Sequence, residues 1–221
     1  MGNAIGQMLG SAVGIAISPL PIIVIVLMLS TPKGRANGTA FAVGWVAALG
    51  VVAALIVVLG GGAKSGGEPA TWVYWVKLAI GVLFAALAAK QWLGRPRAGH
   101  EAKSPAWMTT IDSVTPGKAA GLSALLSAAN PKNLALIVGG AVSIAASPAG
   151  AGGKTVALVL FVLIGSACVL VPLGVYLLGG DKAATTLDGW KAWMGEHNAA
   201  IMAVVLVVLG AKFIGEAISG L

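Results

Sequence analysis

The stretch GLSALLSAANPKNLALIVGGAVSIAAS, residues 121–147, is small or apolar almost throughout, yet it carries Asn130, Pro131, Lys132 and Asn133 at its centre. A run of this length can cross a hydrocarbon core of roughly 30 Å as a helix. Inside such a helix Pro131 removes a backbone N–H, so carbonyls one turn earlier lose their partner and must find another. Lys132 adds a charge costing on the order of 2.5–3.5 kcal/mol at a helix centre. It is about 14 residues from either end of the expected span, 118–146, roughly 21 Å of helical rise. That is too far for its side chain to reach the headgroups, so it needs an internal partner or a wet cavity.

Composition places this segment in a membrane protein. Of 221 residues, 58% are hydrophobic and 10% charged, against roughly 25% charged in a soluble domain. Apolar runs of spanning length recur at about 10–30, 38–60, 72–94, 118–146, 154–179 and 199–219. The expected fold is all-α, with six transmembrane helices in a single membrane domain. The first run has no Lys or Arg ahead of it, so it reads as a retained helix rather than a secretory signal. Cys168 has no disulfide partner and reads as a small buried apolar residue. The net charge of +7 belongs to loops rather than to a nucleic-acid surface.

Lys33, Arg35, Lys90, Arg95, Arg97, Lys103, Lys118, Lys182 and Lys191 all fall on one side of this six-span arrangement, with Lys64 and Lys154 on the other. The positive-inside rule then puts the odd-numbered connections in the cytoplasm and both termini outside. Trp72, Trp75, Trp92, Trp190 and Trp193 cluster at span ends, where aromatic rings favour the headgroup level. The basic connection 95–117 is either a solvated linker or a segment lying on the cytoplasmic membrane surface.

Two halves of the chain share a pattern. AISPLP, residues 16–21, aligns with AANPKN, residues 128–133, and LAAK, 87–90, with LGAK, 209–212. Each half of three crossings opens with a proline-broken helix: repeat one covers about 1–94 and repeat two about 118–221. Three crossings per repeat invert the second relative to the first, the plan of many secondary transporters. Gly2, Gly6, Gly10 and Gly14 recur every four residues, a small-residue stripe suited to close helix packing within the chain or across a homodimer.

The candidate ligand site comprises Ser18, Pro19, Pro21, Asn130, Pro131, Lys132 and Asn133, together with the in-span Lys77 and Lys212. Lys212 and Glu216 are spaced i, i+4, the right distance to pair on one helix face. Glu216, the only acid in any span, is either a proton-coupling group or a structural partner of Lys212. Asp112, just before span four, is a second coupling candidate or a helix cap. Three deep lysines against one carboxylate favour an anionic ligand. GAGGKT, 150–155, has Pro148 where a phosphate loop needs glycine. His100 and His197 stand alone, so neither a metal site nor an enzymatic centre is expected, and no cofactor is called for.

ISPLPIIVIVLMLSTPKGRANGTAFAVGW (17–45), the W-M-x-x-I-D-S-V-T-P-G-K segment (107–118), LLSAANPKNLAL (125–136) and LGAKFIGEAISGL (209–221) together resemble the peptidoglycolipid addressing proteins. These are also called sulfolipid-addressing-like proteins, of the lysine-exporter superfamily. The resemblance implies a six-helix inner-membrane protein of an actinobacterial envelope, moving an anionic glycolipid toward the cell surface. It maps onto Ser18, Pro19, Pro21, Asn130 to Asn133, Lys212 and Glu216. Two other readings stand beside lipid export. One is an exporter of a small anionic or amino-acid-like solute; the other is a non-transporting scaffold that docks lipid-synthesis partners through the basic loop.

Overall fold

The structure, a computed structural model, describes residues 2–60, 71–94 and 114–220. Among them it is helical throughout, with no strand: α1 (Gly2–Ala16), α2 (Pro19–Leu29), α3 (Gly34–Gly60), α4 (Thr71–Leu93), α5 (Pro116–Ala128), α6 (Pro131–Ala146), α7 (Ala151–Gly165), α8 (Ala167–Leu178) and α9 (Ala183–Ile218). Three of these, α3, α4 and α9 with the short 3-10 turn before it, are long and apolar enough to cross a membrane. The bent pairs α1–α2 and α7–α8 bring the number of such segments to five. Several long apolar helices of this kind fit a membrane protein. Exposed Val43, Val51, Leu55, Val58 and Leu59 on α3 and Val204, Val207 and Val208 on α9 are at home against lipid.

Prolines set two of the breaks. Pro19 disfavours helical backbone in the residue before it, and Ser18 is extended at φ −112°, ψ 105°, with α2 leaving α1 at 50°. Asn130 is likewise extended, and its side-chain oxygen accepts the Lys132 backbone N–H at 3.0 Å, capping α6. The expected fourth span, 118–146, is therefore two short helices, α5 and α6.

A third break was not expected from the sequence. α8 departs from α7 by 61° at Ser166 with no proline at the junction. A Gly–Ser pair is a recognised kink site, and the side chains of Leu49 and Ile15 pack beside Gly165. The last connection does not extend from about 180 to 198 as expected either. α9 begins at Ala183 and runs unbroken for 36 residues, well ahead of the expected start near 199. Gly180, at φ +54°, takes the left-handed backbone that turns the chain from α8 into α9.

Packing follows from small residues. α3 and α5 run side by side in the same direction, Asn37 donating to the Val114 carbonyl at 3.0 Å, and Gly44 facing the Ala120 carbonyl and Ser123 hydroxyl with no room for a Cβ. α4 and α9 pack antiparallel, the Gly81 backbone against Gly210 and Ile214, with Phe84 and Phe213 edge to face at 6.0 Å. α6 runs antiparallel to α1, Gly140 against Ser11 and Leu136 against Gly14. Trp45, Phe41, Phe84, Phe161 and Phe213 fill the core.

Candidate functional site

The antiparallel α1–α6 contact brings the two proline breaks together. Ser18, between α1 and α2, meets Lys132 and Asn133, in the first turn of α6. The Lys132 ammonium donates to Ser18 Oγ at 2.8 Å, and Ser18 Oγ reaches Asn133 Oδ1 at 3.5 Å. Asn133 in turn donates to the Leu126 carbonyl of α5 at 3.0 Å, one of the carbonyls near the end of a helix interrupted by Pro131. Lys132 is 5% exposed, Ser18 4% and Asn133 1%. Among the described residues Lys132 has no acidic partner. Two helix N-termini, of α2 and α6, begin at this junction, and each contributes partial positive charge. The junction is therefore locally electropositive.

Each proline has a different place. Pro19 and Pro21 are buried in the first turns of α2, whereas Pro131 is exposed on the outside of its junction. Pro131 thus shapes the site by breaking the helix, not by lining it. Asn130 acts through the α6 backbone as a cap.

Lys77, Lys212 and Glu216 form a separate cluster. Glu216 is bridged by Lys77 at 2.8 Å and by Lys212 at 3.2 Å, and Lys212 also donates to the Gln7 carbonyl of α1 at 3.0 Å. Gly10 gives it access, since a Cβ there would sit 3.2 Å from Nζ. From Gln7 to the end of α1 is roughly 13 Å of helical rise, so Lys77 and Lys212 do not join Lys132 in one pocket as the ligand site was expected to assemble. The i, i+4 pair expected between Lys212 and Glu216 forms, and Lys77 is a second partner that spacing alone did not reveal. Asp112 lies outside the described residues.

The glycine stripe divides. Gly14 packs against Leu209 and Leu136 and Gly10 against Lys212, both within the chain, while Gly2 and Gly6 meet nothing within 4 Å.

A cavity of about 410 Å3 lies beside the Ser18 junction, bounded by α2, α8 and α9 and lined by residues including Ala16, Ile22, Cys168, Val171, Trp190 and Trp193. Its walls are almost wholly apolar. Cys168 is buried as expected, and it also faces this cavity. Pro172, inside α8, lacks the N–H that would meet the Cys168 carbonyl. Neither the cavity nor the α7–α8 break that shapes it was read from the sequence; the Gly165–Ser166 pair and Pro172 were the available signals.

The sequence profile of Sap, the sulfolipid-1-addressing protein, matches residues 8–219. The chain belongs to the sulfolipid-1-addressing protein family. The match takes in both proline breaks, Lys132 and the Lys212–Glu216 pair, in agreement with the resemblance seen in the sequence. No curated protein and no solved structure matches the chain.

Proposed function

We propose that this protein is a secondary transporter that moves an anionic envelope glycolipid out of the inner membrane toward the cell surface, with Lys132 as the headgroup contact. The observation that carries this is the buried Lys132 ammonium, bonded to Ser18 and lacking an acidic partner among the described residues. A buried cation without a counter-ion is expensive and marks a ligand path. Membership in a family named for addressing a sulfolipid supports an anionic lipid as cargo.

The architecture is that of six crossings in two inverted repeats, α1–α4 and α5–α9, with both termini outside. Two relations support it: the broken helices meet at their breaks, and the third helices of the halves, α4 and α9, pack antiparallel about Gly81 and Gly210. Kinship with the lysine-exporter superfamily accords with this plan. Lys132 takes the anion, the Asn133 amide and the backbone of α2 orient it, and Glu216 serves as the coupling carboxylate. No enzymatic step is assigned. A lipid is preferred to a small solute because the apolar cavity adjoins the charged junction.

The test is comparative lipidomics of surface and inner membrane in a deletion strain complemented with wild type or Lys132→Ala. The reading expects surface glycolipid to be lost in the variant while the protein stays in the membrane. Unchanged surface glycolipid would overturn it in favour of a scaffold.

A further inference from the structure

The apolar cavity lies next to the junction that holds the buried ammonium. Ala16 and Ile22, which line the cavity, flank Ser18 in the chain, and Ser18 Oγ accepts from the Lys132 ammonium at 2.8 Å. The lining itself is apolar, with Val171, Pro172, Trp190 and Trp193 presenting hydrocarbon and indole surface. A volume of about 410 Å3 is within the roughly 300–1,000 Å3 of ligand cavities. Val171 is 49% and Trp193 54% exposed, which puts the mouth between α8 and α9, on the flank of the bundle.

A small inorganic anion would satisfy Lys132 and leave the apolar space without a partner. A neutral hydrocarbon would do the reverse. The occupant that satisfies both is an amphiphile with an anionic head and a flexible chain. We infer that the α2–α8–α9 cavity is an acyl-chain site, holding the tail of the molecule whose head meets Lys132; the inference rests on the reading of Lys132 above. The bend at Ser166 is then functional, since it swings α8 away from the line of α7 and opens the space that the chain enters.

The test uses the full-length protein in phosphatidylcholine nanodiscs with palmitate carrying a diazirine near its terminal methyl, and the same chain ending in an alcohol. Peptide mass spectrometry maps the photo-adducts in wild type, Lys132→Gln, and two cavity-filling variants, Val171→Trp and Ala167→Leu, each checked for monodispersity and melting temperature. Adducts from the carboxylate probe are expected in 167–172 and 190–194. They should fall about tenfold, equivalent to about 1.4 kcal/mol, in the folded filled variants and in Lys132→Gln, with the alcohol near background. Adducts spread over lipid-facing positions such as Leu59 and Val207, unchanged by filling, would overturn the acyl-chain site and leave the Lys132 reading to the export assay. Adducts lost on filling but insensitive to Lys132→Gln and equal for the alcohol would also overturn the inference. Combined with normal export in Lys132→Ala, that last result would overturn the functional reading itself.

Discussion

Ser18 Oγ accepts a hydrogen bond from Lys132 Nζ at 2.8 Å across 114 residues of sequence, so each proline break supplies half of one polar contact. Neither motif completes the site alone: SPLP provides a hydroxyl and the start of α2, NPKN the charge and two amides.

Replacing Lys132 should separate function from stability. Hydrogen bonds to charged groups contribute about 1.5–3 kcal/mol, so Lys132→Met is expected to lower export roughly ten- to hundredfold. The same change removes a buried charge that costs on the order of 2.5–3.5 kcal/mol at a helix centre, so the melting temperature in detergent should hold or rise. Lower export with a large drop in melting temperature would assign Lys132 a structural role instead.

Asn130 tests the charge of the junction. Asn130→Ala removes the cap on the Lys132 N–H and should cost about 1 kcal/mol of stability. Asn130→Asp keeps the acceptor and places a carboxylate at the start of α6, where the helix dipole favours it. That variant should melt like wild type yet export poorly, because its own negative charge competes with the headgroup for Lys132. Thermal melts and surface lipidomics on the pair provide the check.

Packing of α3 on α5 makes a stability prediction independent of transport. Gly44→Ala would drive a Cβ into the Ala120 carbonyl and Ser123 hydroxyl, and overpacking of this kind costs about 1–3 kcal/mol. Gly121→Ala, on the exposed side of α5 with nothing within 4 Å, should be neutral or gain up to about 1 kcal/mol of helix propensity. Equal melting temperatures for the two variants would contradict the described contact.

Glu216 is shared by two lysines, and paired variants separate a coupling role from a structural one. Glu216→Gln leaves Lys77 and Lys212 facing each other uncompensated and should destabilise the α4–α9 pair. Adding Lys77→Met relieves that repulsion. If Glu216 only holds charge balance, the double variant regains export along with stability; if it carries the coupling proton, stability returns and gradient-driven export in proteoliposomes does not.

Much of this was legible in the sequence because the decisive events are local. A proline inside an apolar run announces its own break, so Pro19 and Pro131 marked both junctions, and a lysine far from either span end announced a need for a partner. Aligning the halves set SPLP opposite NPKN, but only the folded α1–α6 contact shows Ser18 to be that partner. The lysine cluster was half legible: Lys212 and Glu216 share a helix face, but Lys77 reaches Glu216 only through the α4–α9 packing, which spacing along one helix does not encode. The bend at Ser166 escaped because a Gly–Ser pair has no forbidden helical geometry; neighbouring packing decides whether it kinks. The cavity is a product of that bend and was correspondingly hidden.

The length of α9 has a mechanical consequence. Its 36 residues make a rod of about 54 Å at 1.5 Å per residue, far longer than a hydrocarbon core of roughly 30 Å. Trp190 at the cavity and Glu216 in the lysine cluster sit on this one unbroken rod, about 39 Å apart along its axis. An uninterrupted helix transmits tilt without absorbing it at a hinge. The apolar cavity wall and the lysine-paired carboxylate are therefore carried near opposite ends of one rigid element.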